Sequence, residues 1–409
     1  MSSELPAWAR RIRSMREARG WSQVEAASHM RSHTDKELPA GDNLTRRWKD
    51  WELGKSAPSK FYAPILAATL GTVTTALFPP EKRHSELDVL GSTGMETLEI
   101  VSRLQASDVN DATLDAVRIT VEKLCSEYAR QRPDELISEG RQWLRRLVEM
   151  QEQRLSFRQR RDTLELAGWL ALLVGCLEYD LGRRDAAEAT RRSALSLGNE
   201  VGSGGIMGWA HEMRAWFSLT SGDYRGVLSA AQAGQDVSGN HSVSVQLIAQ
   251  EAKALSRMGK TDEMNRALER GRMRLESMPY PENVENHFVV DPSKFDFYAM
   301  DCHRYIGDNR IARELSEEVI RASKSFDDRE RWPMRIAEAQ VTLGVVAARE
   351  GDLDEAVAQG RRAIGASRQS RPSLAFVAQD LATVLHERYD GEPEAEAYLE
   401  ELQALRRPA

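Results

Sequence analysis

Apolar residues recur along this chain at intervals of three and four, the period of a helix that buries one face. A first helix is predicted from Pro6 to about Ala18. Pro6 suits a first-turn position, Trp8, Ile12 and Met15 make the apolar face, and Gly20 ends the helix. The second opens at Ser22-Gln-Val-Glu25, where the Ser and Glu side chains can satisfy each other's orphan backbone donors. Val24, Ala27 and Met30 are its expected inward positions. A third begins near Asp42 or Asn43, either of which suits a cap. At 100° per residue, Leu44, Trp48 and Trp51 fall on one narrow stripe. Arg46, Lys49 and Asp50 fall opposite, with Thr45 and Arg47 at the margins. Such a helix buries one side and offers the other to a polyanion. Gly54 closes it, and short helices follow over Phe61 to Leu70 and Val73 to Phe78.

The polar stretch Pro79 to Gly94 reads as a hinge. A helix from Met95 to Gln105 comes next, then Ser107 or Asp108 as the cap of the following one. From about Leu114 the pattern shows helical periods punctuated by single glycines, with no strand signal. Helices over 113–150 lead into the clearest repeated phrase, which turns at Gly182 with small residues at Ala187 and Ala194, and again at Gly351 with Ala356 and Ala363. Weaker copies turn at Gly222, Gly259 and Gly307, and a degenerate pair turns near Gly391. The first five turn glycines are 40, 37, 48 and 44 residues apart. Met278 to Tyr298 breaks the pattern with three prolines and an apolar Phe288-Val-Val290 run. It is either a functional loop or an irregular connector between helix pairs.

Composition refines this picture through its distribution. The net charge is −7, yet residues 1–80 hold 12 Lys and Arg against 8 Asp and Glu, leaving a cationic head on an anionic remainder. That asymmetry suits a head that meets phosphate. Cys125, Cys176 and Cys302 are isolated and odd in number, so neither a disulfide framework nor a zinc site is signalled. Buried thiols in a reducing cytoplasm are expected. The N-terminus has arginines at 10, 11, 13 and 16 where a signal peptide would need its apolar core. The longest apolar patch, Leu166 to Leu177, falls well short of the ~20 residues that span a bilayer.

The run Arg16 to Gln23, RxxRGWSQ, followed by WKDWELGKSAP at 48–58, resembles the phage-repressor and Cro type of helix-turn-helix, the XRE family. The resemblance covers residues 6–78 and implies a five-helix, lambda-repressor-like DNA-binding domain whose third helix enters the major groove. It implies that Thr45, Arg46 and Asp50 read bases, with Arg47 and Lys49 on the same DNA-facing surface. Gln23 matches a position that contacts a phosphate and braces the reading helix. Arg16 and Glu52 match a buried ion pair between helices one and three. The departure is the turn: Gln23 and Thr45 are 22 residues apart, so Met30 to Gly41 is an insertion. Its Arg31 or Lys36 is expected to touch the DNA backbone. His29, His33 and Asp35 lack a fourth metal ligand nearby and read as a polar loop.

The glycine-punctuated pairs resemble tetratricopeptide repeats, with long irregular units. That resemblance implies an all-α solenoid with a concave face. Placed by it, the inner wall comprises Trp169, Tyr179, Trp209, Glu212, Trp216, Gln246, Lys253, Arg257, Asp301, Arg304 and Tyr305. Aromatic anchors among single charges suit a peptide or small-molecule effector; the bland alternative makes the tryptophans inter-repeat core. The 278–298 segment is a candidate to fold onto that face.

No phosphate-binding, dinucleotide-binding, nucleophile-elbow or HExxH motif occurs; His211-Glu212 lacks the second His, and Gly202-Ser-Gly-Gly205 lies between helices without a Lys. The sequence therefore predicts a non-enzymatic chain without cofactor or metal. Its expected parts are a head over 1–80, a linker over 81–112 and a regulatory and dimerising body over 113–409. The leading expectation is a cytoplasmic, homodimeric bacterial transcription regulator that binds a double-stranded operator. The competing one is a protein-interaction adaptor with little DNA-binding role.

Overall fold

The computed structural model describes residues 5–78, 111–153, 155–325 and 329–406. The expected hinge over 79–94, the helix over 95–105 and the cap at Ser107 or Asp108 lie outside these residues. Among the described residues there are 19 α-helices and one 3-10 helix, and no strand beyond an isolated bridge between Lys324 and Glu330. The all-α expectation is met.

The N-terminal helices are α1 (Ala7–Ala18), α2 (Gln23–His29), α3 (Gly41–Glu52), α4 (Tyr62–Thr69) and α5 (Thr74–Leu77). The capping box at Ser22 and Glu25 forms with both hydrogen bonds. Ile12, Met15, Met30, Leu44, Trp48, Leu66 and Leu70 are fully buried in one cluster. Two local expectations are corrected. Helix α3 starts at Gly41 behind Ala40, which has no side chain to cap it, so Asp42 and Asn43 sit inside the first turn. Val24 is 63% exposed, because the inward arc of this short helix is taken by Ala26 and Ala27.

The remaining helices run α6 (Asp111–Glu127), α7 (Pro133–Gln151), α8 (Phe157–Asp180), α9 (Arg184–Val201), α10 (Gly204–Thr220), α11 (Tyr224–Ser238) and α12 (Val243–Arg257). They continue as α13 (Thr261–Glu276), α14 (Pro292–Ile306), α15 (Asn309–Ala322), α16 (Pro333–Glu350), α17 (Leu353–Ile364), α18 (Arg371–Arg388) and α19 (Pro393–Arg406). Gly182, Gly222, Gly259, Gly307, Gly351 and Gly391 all have positive φ, which only glycine adopts freely at a tight inter-helix turn. Each therefore sits where the sequence placed a turn. Helices joined by such turns pack as pairs, and α8, α10, α12, α14, α16 and α18 contact one another in succession. Close approach is built in at Gly208, where a Cβ would fall 2.5 Å from a Val243 methyl.

The stack returns on itself. Helix α18 also touches α8 and α10. Arg368 donates to Asp180 at 2.6 Å in a buried pair, and the Trp216 indole donates to Ser373 Oγ at 2.8 Å.

The N-terminal helices dock on α13, α14 and α15 through their rear. Arg11, only 7% exposed, pairs with Asp296 and lies 2.5 Å from Glu318. Thr72 Oγ1 donates to Asp296 at 3.2 Å, Ser14 to Glu314, and the Thr74 amide to Glu276 at 2.7 Å. Burial alone would push the Asp296 carboxyl up, and it stays above the ordinary range despite Arg11.

Candidate nucleic-acid interface and ligand cavity

The tryptophan stripe decides which way α3 faces. With Leu44 and Trp48 wholly buried and Trp51 nearly so, Arg46, Arg47 and Lys49 point outward and are exposed, and Thr45 and Asp50 are half-buried. The Arg47 guanidinium lies 5.4 Å from the centre of the Tyr62 ring, and Lys55 reaches to 4.0 Å from Asp50. Among the described residues, the hydrogen bonds and ion pairs that dock the N-terminal helices on the body do not involve these residues.

Behind that face stands a polar knot. Glu52, 3% exposed, accepts from Arg16 Nε at 2.5 Å, Arg16 Nη2 at 3.1 Å, Gln23 Nε2 at 2.7 Å and Trp48 Nε1 at 2.6 Å. Arg16 also donates to the Trp21 carbonyl at 2.8 Å. Burial would raise the Glu52 pKa, but the donors from Arg16, Gln23 and Trp48 outweigh it and hold it below the ordinary value. Helices α1, α2 and α3 are thus tied through one carboxylate, and the Gln23 side chain serves as a brace.

The insertion is folded on itself. Met30 and Leu38 bury into the N-terminal core, and Arg31 donates to the carbonyls of Leu38 and Pro39 at 3.4 and 2.5 Å. Lys36 lies 5.7 Å from the Phe61 ring centre. Arg31 is therefore engaged by the loop's own carbonyls, while Lys36 remains exposed. His29 stacks on Trp21 at 4.3 Å, and no group of His, Cys, Asp and Glu suited to a metal occurs among the described residues.

In the body the inner face carries a cavity of about 130 Å³. Of the residues expected along the concave wall, Glu212, Trp216, Gln246 and Lys253 line it. The others go elsewhere. Trp209 is fully buried against Phe288, and Tyr179 stacks on Phe217 at 4.0 Å, both as inter-helix packing. Trp169 sits 5.6 Å from Phe288 at the edge of a separate depression. Arg257 grips Asp301 at 2.7 and 3.0 Å, while Arg304 bonds Asp301, Asp380 at 3.0 Å and Thr342 at 3.0 Å. These groups form a buried ionic core beside the cavity. Burial would raise the Asp301 carboxyl, but Arg257, Arg304 and Lys253 hold it far below its ordinary range. Tyr305 is 38% exposed, with Arg257 4.9 Å from its ring centre.

Several lining residues escaped the sequence reading: Gln250, Lys294, Phe297, Tyr298, Trp332, Arg335, Glu338 and Phe376. The 278–298 segment held the available signal. Its second part is helix, since α14 starts at Pro292 with Asp291 accepting from the amides of Ser293 and Lys294. Its first part is a connector whose His287 amide donates to the Cys125 carbonyl at 3.1 Å, with Phe288 buried and Val284 to His287 on the cavity wall.

The cavity is densely charged. Gln246 and Gln250 each donate to one oxygen of Glu212 at 2.7 Å. Burial pushes the Glu212 and Glu338 carboxyls above their ordinary values. Burial, reinforced by Arg335, brings the Lys294 ammonium down to about 7. His287 is likewise held neutral by burial and the neighbouring Lys294. All three cysteines are free and buried, and burial pushes the Cys302 thiol up to about 12, so it is unreactive at neutral pH.

Comparison with family models, with curated proteins and with solved structures finds no match to this chain.

Proposed function

We propose that the chain is a sequence-specific DNA-binding regulator, an XRE-like helix-turn-helix head on a tetratricopeptide-like body that senses an effector and mediates dimerisation. The observation that carries this reading is the pairing of an exposed Arg46-Arg47-Lys49 face with the buried Glu52 knot behind it. A reading helix must be aimed rigidly, because bidentate Arg–guanine geometry gives about 1–3 kcal/mol of discrimination only when both hydrogen bonds form. The four donors on Glu52 supply that rigidity. Two such heads in a homodimer would address half-sites about one helical turn apart. The cavity is the natural effector site, and α14 links it to the head: Lys294, Phe297 and Tyr298 line the cavity, while Asp296 holds Arg11. A ligand that prefers one placement of α14 shifts head placement by its difference in affinity for the two.

The test is fluorescence anisotropy with mixed-sequence duplex DNA at low salt. Retention that falls steeply as salt is added, and is abolished in the Arg46→Ala, Arg47→Ala double variant, supports the reading. Binding that persists unchanged in the double variant rules α3 out as the DNA-facing helix.

A further inference from the structure

The cavity wall carries carboxylates that none of its own cations pairs with directly among the described residues. Lysine and arginine side chains do line it, but each is engaged. Arg335 bonds Asp291 at 3.1 Å and Ser293 at 3.0 Å. Lys294 donates to the carbonyls of His287 and Val289 at 2.7 and 3.2 Å. Lys253 stands 3.7 Å from Asp301 and 5.5 Å from the Tyr298 ring centre. Of the lining carboxylates, Glu285 is taken by Arg331. Glu338 is 8% exposed, and its carboxylate has no hydrogen-bond or ion-pair partner among the described residues. Glu212, 5% exposed, spends one oxygen on two glutamine amides, and its other oxygen has no partner among those residues. A buried, unpaired carboxylate is costly, which is why both groups are pushed toward their protonated forms. The remaining wall is aromatic: Lys253 lies over Phe297 and Tyr298, Arg257 over Phe376, and Arg331 and Arg335 over Trp332, so among the described residues Trp216 is the lining ring with no protein cation over its face. Ring faces beside carboxylates attract a cation through the ring quadrupole as well as through charge.

We propose that the cavity binds a compact organic cation, a protonated amine carrying one ring-sized apolar group, with the ammonium held by Glu338 and Glu212. Size sets the upper limit. A sealed cavity of roughly 150 Å³ holds one benzene ring, and this one, about 130 Å³ and partly open, takes one small ring with its ammonium toward the open side rather than a larger group. Helix α18 contacts α8 and α10 beside the cavity, with the Trp216 indole bonded to Ser373. This deepens the effector reading and rests on the body being a sensor.

The experiment is a matched series sharing one phenylethyl skeleton, titrated into the full chain by calorimetry and thermal shift. The amine 2-phenylethylamine is expected to bind and raise Tm. The alcohol 2-phenylethanol and the anion 3-phenylpropanoate are expected to do neither at the same concentration. Glu338→Gln keeps the shape and removes an unpaired buried charge, so it is expected to fold and to weaken amine binding about tenfold, the worth of a hydrogen bond to a charged group. Glu212→Gln, which disturbs the glutamine pair, gives a second reading of the same loss. The proposal is overturned if the anion or alcohol binds as well as the amine, if no member binds, or if Glu338→Gln leaves amine affinity unchanged. A parallel DNA titration on the same protein separates the two readings. Salt-sensitive DNA binding without amine binding sinks the cavity assignment alone. Amine binding without DNA binding leaves that assignment standing and sinks the operator reading.

Discussion

Glu52 is the residue on which the aim of α3 depends, and its depressed pKa makes that dependence measurable. A carboxyl whose folded pKa lies below its unfolded value of about 4.3 contributes stability that is complete above that pH. The contribution is lost as pH falls through the lower folded value, because the unfolded chain takes up the proton first. Acid titration of unfolding is therefore expected to show a loss below about pH 4.3 that Glu52→Gln removes. Identical slopes in the two proteins would mean the four hydrogen bonds on Glu52 add nothing. Arg16→Met leaves Glu52 buried and charged, and is expected to destabilise the N-terminal helices by about 3–5 kcal/mol, read from denaturant unfolding. The pairing of Arg16 with Glu52 was legible in the sequence, since the resemblance to the phage-repressor type of helix-turn-helix implies a bridge between the first and third helices. The use made of Arg31 was not, because nothing in a polar loop says whether its cation will be spent on that loop's own carbonyls.

At the scale of elements, the turns were more legible than the faces. A glycine that must adopt positive φ leaves a mark in sequence, and Gly182 through Gly391 each mark a turn. The inner and outer faces of a helix buried on both sides leave no such mark. Trp209 and Trp216 lie seven residues apart on α10, yet one is core and the other lines the cavity. Their difference is set by α18, whose return to α8 and α10 is a non-local packing event with no local periodic signature. Helix α14 is the element where regulation would act. Its Asp296 faces the N-terminal helices while its neighbours Phe297 and Tyr298 face the cavity. Arg11→Met strands Asp296 without its cation, while Glu318 keeps Arg321, so the head is expected to detach and become more susceptible to limited proteolysis. Adding Asp296→Leu is expected to restore part of the docking, since an apolar pair tolerates the same burial. Unchanged protease sensitivity in Arg11→Met would show that this ion pair does not hold the head.

At the scale of the whole molecule, charge and exposure point the same way. Residues 1–80 carry net positive charge, 12 Lys and Arg against 8 Asp and Glu, on a chain of net charge −7, and the Arg46-Arg47-Lys49 face is turned outward while the rear of the head is docked. The described helices include none long and apolar enough to cross a membrane. The measurement that tests operator recognition most directly is sequencing of genomic fragments retained by the full chain, with the Arg46→Ala, Arg47→Ala variant run beside it. The expected result is enrichment of a two-fold-related sequence whose half-sites lie about one helical turn apart, lost in the double variant. Fragments indistinguishable from the input, or the same enrichment in both proteins, would contradict it.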